Sequence, residues 1–190
     1  MADAMPLNVL VICGSLRKGS FNRMLTRALP ALAPADMTLS DAPPIGALPL
    51  YNADIQTASG DPPEVTALVN AVRAADGLII VSPEYNWSIP GVMKNAIDWL
   101  SRVKDQPLLD KPVALQSAAP GLLGGARMQY HMRQSLTSVE ALILIRPEVF
   151  VNLAAKKFDE KTGELTDQPT RDIVKQQLEA FAKFIRKLKE

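Results

Sequence analysis

An apolar run that stops at a glycine, followed by a loop of small, hydroxyl and basic residues, constrains this chain more than any other stretch. The run covers residues 9–13 and the loop covers residues 14–22. A continuous aliphatic run is typical of a parallel strand covered on both faces, and a helix usually follows such a strand. Ligands bind in the crevice beyond the carboxyl ends of parallel strands. The pattern therefore predicts a buried first strand that ends in a ligand-binding loop.

The loop carries the donors that a phosphate group requires. Ser15, Ser20 and Asn22 supply hydroxyl or amide groups, and Arg17 and Lys18 supply positive charge. Glycines allow the backbone N–H groups to turn inward, and the dipole of the following helix favours an anion. We therefore expect a phosphate at this loop. An ordinary strand-to-helix turn rich in serine and glycine is the alternative.

Two common phosphate motifs are excluded by single positions of this loop. Gly14 and Gly19 have the spacing of a triphosphate-binding loop, but Ser20 stands where that loop needs lysine. Leu16 stands where the dinucleotide fingerprint needs its second glycine. A lone phosphate monoester fits better than either.

The length of the chain indicates a single domain, and its composition gives it no electrostatic attraction to polyanions. At 190 residues we expect one domain over residues 1–190. With 21 basic and 20 acidic residues, the net charge of +1 favours neither nucleic acid nor a membrane surface as a partner. Cys13 is the only cysteine, which excludes an internal disulfide or a cysteine-based metal cluster and is typical of a reducing cytoplasm. We predict a soluble cytoplasmic protein with no membrane span and no metal site, in which Cys13 is an inert core thiol.

Strand and helix patterns alternate along the chain, which predicts a doubly wound parallel α/β sheet. A phosphate loop after the first strand and a second ligand-like loop after the third favour the strand order 2-1-3-4-5, with helices on both faces. The predicted strands cover residues 7–13, 37–39, 77–82, 112–117 and 141–145, the last resuming at 148–151. The third is as hydrophobic as the first and is therefore expected to be central. The predicted helices cover residues 20–32, with Ser20 as the expected N-cap, 62–75, 90–102, 124–139 and a terminal segment capped by Asp167.

Residues 41–62 form a long proline-rich segment that we expect to be a loop facing a partner. Ile45, Leu48, Leu50 and Tyr51 give this segment an apolar patch. At its end, Asp61 is the expected cap of the next helix.

A second polar and aromatic loop covers residues 82–91, where the predicted strand order puts a ligand. Two prolines stiffen it, and Tyr85 and Trp87 offer flat aromatic faces. Such a loop can donate backbone hydrogen bonds to the edge of a planar ring system. Alternatively, the two aromatic residues simply cover the end of the sheet.

Together, the motifs GSLRKGSFN at residues 14–22 and PEYNWSIPGVMKNAIDWLSR at residues 83–102 resemble the NADPH-dependent FMN reductase family. Within it, the resemblance is strongest to the bacterial chromate and quinone reductases, and it covers roughly residues 7–150. It implies a flavodoxin-like fold with bound FMN. In the family the first loop binds the FMN phosphate and the second borders the isoalloxazine. Carried over, Ser15, Arg17, Ser20, Phe21 and Asn22 would hold the phosphate and ribityl end, Pro83, Glu84, Tyr85 and Asn86 would hold the ring, and Ser117 would close the far side.

The resemblance also implies the reaction. NAD(P)H is expected to reduce bound FMN by hydride transfer, and quinones, chromate or related acceptors then take the electrons in a ping-pong cycle. This chemistry requires no catalytic side chain. His131, the only histidine, is expected to be a surface residue and not a base. A flavodoxin-type electron carrier and an FMN-binding redox sensor without turnover are the competing functions.

The resemblance further implies a homodimer or homotetramer with the flavin pocket at the seam between subunits. Residues 41–62, the region from Trp87 to Trp99 and the helix bearing Arg127, Tyr130 and Arg133 supply the expected interface. Arg102 could then reach the pocket of a neighbouring subunit and contact an anionic acceptor or the nucleotide phosphates. A solvated arginine near a helix end is the alternative.

Overall fold

A single parallel sheet organises residues 5–190, the part of the chain that the computed structural model describes. The strands are β1 (Leu7–Cys13), β2 (Met37–Asp41), β3 (Gly77–Val81), β4 (Pro112–Ala118), β5 (Leu142–Ile143) and β6 (Val149–Val151). The strand order is β2-β1-β3-β4-β5, and β6 also pairs with β4. The predicted flavodoxin-like, doubly wound architecture and strand order are thus confirmed.

Two apolar cores cover the two faces of the sheet. Because successive strand side chains point to opposite faces, Leu78 and Ile80 join one core while Ile79 and Val81 join the other. The helices are α1 (Phe21–Ala28), α2 (Ala53–Ser59), α3 (Pro63–Ala74), α4 (Gly91–Leu100), α5 (Ala126–Thr137) and α6 (Gln168–Lys189). Helices α3, α4 and α5 cover the first face of the sheet, and α1 and α6 cover the second.

The fifth strand position is split between two short strands. β5 pairs with the beginning of β4, and β6 pairs with Gln116, Ser117 and Ala118 at its end. Pro147 lies between the two and has no N–H to donate to the ladder. The predicted resumption of this strand is confirmed, and it extends the sheet to the carboxyl edge where the loops meet.

The interpretation of residues 41–62 as a partner-facing loop is wrong in two respects. The segment contains a short 3-10 turn (Ile45–Ala47) and the helix α2. Ile45 and Leu48 are buried in the chain's own core, whereas Leu50 is 81% exposed. Only a small part of the predicted patch therefore remains for a partner.

Trp99 is the anchor that draws this segment onto α4. Its indole Nε1 donates to the carbonyl of Pro49 (2.7 Å), and its ring meets Tyr51 edge-on with centroids 5.0 Å apart. The Asn95 amide bonds the same segment at the carbonyl of Pro49 (2.9 Å) and the N–H of Tyr51 (2.8 Å). Trp99 is therefore fully buried, and the expectation that it contributes exposed surface is wrong.

Helix capping follows the sequence signals at two of three positions. Ser20 caps α1 by accepting from the N–H of Arg23, and Asp167 caps α6 by accepting from the N–H of Thr170. α3 instead begins after Pro62 without a side-chain cap. Asp61, the predicted cap, accepts a hydrogen bond from Gln56 in α2.

Candidate functional site

A cavity of about 150 Å³ lies at the carboxyl edge of the sheet, where the loops after β1, β3 and β4 meet. These loops are brought together because the three strands are neighbours and parallel. All but two of the predicted cofactor-binding residues line it. The lining consists of Ser15, Arg17, Ser20, Phe21, Asn22, Pro83, Glu84, Tyr85, Ala118, Ala119 and Pro120.

The first loop presents the N-terminus of α1 to this cavity. Ser20 has an extended backbone, and its Oγ accepts from the N–H of Arg23 (3.1 Å), so its own O–H is left to donate. The N–H groups of Phe21 and Asn22 precede the first helical hydrogen bonds and have no partner within the helix. Serine hydroxyl, helix N–H groups and the nearby Arg17 guanidinium make a donor set for a phosphate.

Gly14 is required because the loops after β1 and β3 cross closely. A Cβ atom built on Gly14 would lie 2.4 Å from the Oγ of Ser82. Any other residue would push the two loops apart and widen the cavity between them.

Asn22 joins the first loop to the end of β4. Its Nδ2 donates to the carbonyl of Ala118 (2.8 Å), and its Oδ1 accepts from the N–H of the same residue (2.9 Å). The side chain is buried, so both bonds are shielded from water. Asn22 thus borders the cavity, and its amide fixes the position of Ala118, which lines the opposite wall together with Ala119.

The second loop is a tight turn that displays Tyr85 and Trp87. Tyr85 and Ser88 exchange two backbone hydrogen bonds (3.1 and 2.9 Å), and Asn86 and Trp87 between them have φ of 49° and 66°. Two consecutive positive φ angles are typical of a type I′ turn. Tyr85 lines the cavity, whereas Asn86 lies at the exposed tip outside it, so the structure does not bring Asn86 to the predicted contact.

Arg127 on α5 supports this turn. Its guanidinium carbon lies 4.4 Å from the centroid of the Trp87 ring and its Nη1 lies 3.6 Å from the Oε1 of Glu84. The Oε2 of Glu84 accepts from the N–H of Met128 (3.2 Å). The positive φ of Trp87 is a strained conformation for a bulky residue, and the cation–π contact helps to hold it. From its sequence position, Arg127 was expected at an interface, and no local pattern indicated this role, because α5 and the second loop are far apart in the chain.

Ser117 does not reach the cavity, which corrects the prediction that it closes the far side. It is fully buried, its Oγ donates to the carbonyl of Gly124 (2.6 Å), and it accepts from the Nε2 of Gln129 (2.8 Å). Gly125 packs so closely that a Cβ atom there would lie 2.7 Å from the Ser117 Cβ. Ser117 and Gln129 therefore anchor the start of α5 under the cavity.

Three further residues of interest lie outside this cavity. Arg102 is exposed, with its guanidinium carbon 5.9 Å from the centroid of the Tyr51 ring. His131 is exposed on α5, as predicted, with Nδ1 2.9 Å from the Oγ of Ser88. Burial raises the pKa of the Cys13 thiol, although a hydrogen bond with the backbone of Ser15 opposes the shift. This agrees with an inert thiol.

Comparison with known proteins decides which family this arrangement represents. A model of the family described as NADPH-dependent FMN reductase matches residues 7–156. That match covers both loops and most of the chain. The chain belongs to the NADPH-dependent FMN reductase family.

Relatives in this family match nearly the whole chain. A quinone reductase of Escherichia coli is 50% identical over 183 residues, which cover 96% of this chain and 97% of that protein. An NAD(P)H-dependent FMN reductase of Pseudomonas aeruginosa is 43% identical, with 96% and 97% covered. The solved structure of FerB, a flavoenzyme NAD(P)H:(acceptor) oxidoreductase from Paracoccus denitrificans, has a TM-score of 0.86 at 33% identity and covers 95% of this chain and 98% of its own.

The cavity of this reductase-family chain suits the phosphate end of FMN. The α1 N-terminus, the Ser20 hydroxyl and the Arg17 guanidinium supply donors to a phosphate monoester, and the backbone around Ala118 and Ala119 walls the opposite side. A volume of about 150 Å³ is large enough for a phosphate and part of a sugar-alcohol chain, and Tyr85 lines the same cavity. Within residues 5–190, no helix has the length and apolar character needed to cross a bilayer.

Proposed function

We propose that this protein is an FMN-dependent oxidoreductase that uses NAD(P)H to reduce quinones, chromate or related acceptors. The observation that carries the proposal is the cavity at the carboxyl edge, in which eight predicted residues from two loops converge. Family membership and the quinone reductase relative support the choice of acceptor.

In this proposal the chain's own residues bind and orient, and no side chain transfers the electrons. FMN, when bound, supplies the two-electron redox chemistry. Arg17, Ser20 and the first N–H groups of α1 hold the phosphate. Tyr85 and Glu84 lie where the ring is expected, and Arg127 keeps their turn in place through Glu84 and Trp87. Such fixed polar groups need no rearrangement during the reaction.

Flavin extraction and steady-state turnover test this function together. We expect the protein as purified to release one FMN per chain and no FAD on heat denaturation, and to release FMN after reconstitution with FMN if it is purified without flavin. We also expect it to oxidise NAD(P)H with a quinone present, giving the parallel double-reciprocal lines of a ping-pong cycle. Recovery of FAD, or of no flavin, would refute the cofactor assignment. FMN without turnover would instead favour an electron carrier or a redox sensor.

A homodimer or homotetramer in the cytoplasm is part of the same proposal. Exposed apolar side chains near the cavity support assembly, since Trp87 is 67% and Tyr130 57% exposed. Arg133 contributes less than expected, because it is bonded to Glu148 (3.5 Å) and to the carbonyl of Leu144 (3.3 Å). Light scattering should give a mass of at least twice 20.6 kDa. A monomer at micromolar concentration would contradict assembly.

A further inference from the structure

Glu84 brings a negative charge to the cavity assigned to FMN. Among residues 5–190, the only charged side chains that line this cavity belong to Arg17 and Glu84. Arg17 lies in the loop expected to bind the phosphate, whereas Glu84 lies in the loop expected to border the flavin ring. The side chain of Glu84 is only 14% exposed. Its charge is therefore less screened by water and salt than that of a surface carboxylate.

Both oxygens of the Glu84 carboxylate are bound by the beginning of α5. Oε1 lies 3.6 Å from the Nη1 of Arg127, and Oε2 accepts from the N–H of Met128 (3.2 Å). Met128 is the third residue of α5, so its N–H has no acceptor within the helix. The first turn of α5 contains no acidic residue, and Gly125 before it has no side chain that could act as a cap. A carboxylate from a distant loop thus takes the place of an N-terminal cap.

Close packing fixes the start of α5 relative to Glu84. Gly124 and Gly125 have φ of 58° and 89°, a conformation that glycine adopts readily. A Cβ atom on Gly125 would lie 2.7 Å from the Cβ of Ser117 and 4.0 Å from that of Glu84. Because Ser117 is itself buried and bonded to Gly124 and Gln129, the end of the helix has little room to shift. The Glu84 carboxylate is consequently held at one position beside the cavity.

The two charges of the Glu84–Arg127 pair are unequally placed. Glu84 lines the cavity, and Arg127 does not. The Arg127 side chain is 44% exposed, and its guanidinium lies over the exposed ring of Trp87. Water therefore screens the positive charge more strongly than the negative one. The pair presents a net negative field to the cavity.

We propose that this pair sets the reduction potential of the bound flavin, in that Glu84 lowers the potential and Arg127 limits that effect. The proposal rests on the proposed FMN-dependent function and deepens it. Hydride transfer from NAD(P)H brings two electrons and one proton to the flavin and leaves NAD(P)+, so the bound flavin gains one negative charge. A carboxylate beside the ring disfavours this gain, and a guanidinium favours it. A lower potential makes the reduced flavin a stronger electron donor to the acceptor.

Midpoint potentials of the FMN-loaded protein test the proposal without turnover, by anaerobic titration against redox dyes of known potential. Glu84→Gln keeps the size of the side chain and should raise the potential by about 30 mV, which is about a tenfold change in the equilibrium constant of a two-electron couple. Arg127→Gln should lower the potential by about 14 mV, or about threefold, because the charge that it removes is more screened. The double variant should fall between the two single variants.

Glu148→Gln is the matched control for these measurements. Glu148 is likewise a largely buried carboxylate paired with an arginine of α5, Arg133 (3.5 Å), but it does not line the cavity. Its replacement should leave the potential unchanged. Arg127→Met and Glu84→Met supply second neutral side chains where a glutamine variant fails to fold.

The signs of the two shifts separate an electrostatic effect from a structural one. If the pair only held the loop in place, either replacement would disturb the same turn and the two potentials would move in the same direction. Shifts of the same sign, unchanged potentials or an equal shift in Glu148→Gln would overturn this inference alone if the protein still oxidises NAD(P)H. Opposite shifts in a protein that binds FMN without turnover would uphold the inference while the proposed function fails. Absence of FMN binding would overturn both.

Discussion

Replacing Asn22 by alanine should weaken flavin binding even though the Asn22 amide bonds the backbone of Ala118 and does not point into the cavity. The change removes both hydrogen bonds that the amide makes with Ala118 and leaves a buried N–H and a buried carbonyl without partners. An orphaned buried polar group costs about 1–3 kcal/mol, so the loss of folding free energy should be about 2–6 kcal/mol. Because Ala118 and Ala119 form a wall of the cavity, their displacement should also lower the affinity for FMN, by about tenfold or more.

Asn95 provides a matched control for this experiment. It is also a buried asparagine whose amide bonds the backbone twice, but its partners are Pro49 and Tyr51, outside the cavity. The carbonyl of Pro49 keeps the bond from Trp99, so Asn95→Ala orphans one group and should cost about 1–3 kcal/mol. The folded variant should bind FMN as the unchanged protein does.

Urea unfolding and fluorescence titration with FMN measure the two effects separately. Each kcal/mol should also move Tm by about 2–4 °C in a chain of this size. The reasoning fails if Asn22→Ala binds FMN with unchanged affinity. It fails equally if Asn95→Ala loses as much affinity, since the loss would then follow general destabilisation and not the wall at Ala118.

Three further changes test charges at the site and elsewhere. Arg17→Ala should raise the dissociation constant for FMN about ten- to a hundredfold, because a charge-assisted hydrogen bond contributes about 1.5–3 kcal/mol. Hydride transfer at saturating FMN should change little. An unchanged dissociation constant in a fluorescence titration would remove Arg17 from the site. Arg102→Ala should raise the Michaelis constant for chromate more than that for a neutral quinone, and equal changes would leave Arg102 as a surface residue. Burial alone would raise the pKa of Asp76, but hydrogen bonds from the Lys189 ammonium and the Asn8 N–H outweigh it and lower the pKa. The ionised Asp76 therefore stabilises the fold above about pH 4, and this stabilisation is lost as the pH falls through the lowered pKa. The difference in Tm between Asp76→Asn and the unchanged protein should accordingly shrink as the pH falls below about 4. A difference in Tm that does not change with pH would contradict the assignment.

The part of this protein that its sequence determines is local or periodic. Continuous aliphatic runs identified β1 and β3 as central strands, and the loops after them identified the carboxyl edge that holds the cavity. Ser20 and Asp167 were recognised as caps because a cap bonds a backbone N–H only three residues away. Hydroxyl and cationic residues within one loop likewise indicated a phosphate.

Only the tertiary structure decided where side chains point once distant segments meet. Asn22 turns to Ala118, 96 residues away, and Ser117 turns to Gly124 and Gln129 instead of the cavity. Ile45 and Leu48 look like an exposed patch in sequence but are buried, because α4 draws their segment onto the core. Arg127 likewise contacts Glu84 and Trp87 because the fold brings α5 next to a loop that is distant in sequence. A residue type and a loop position specify which bonds are possible, but the packed neighbours determine which are made, and no local pattern records those neighbours.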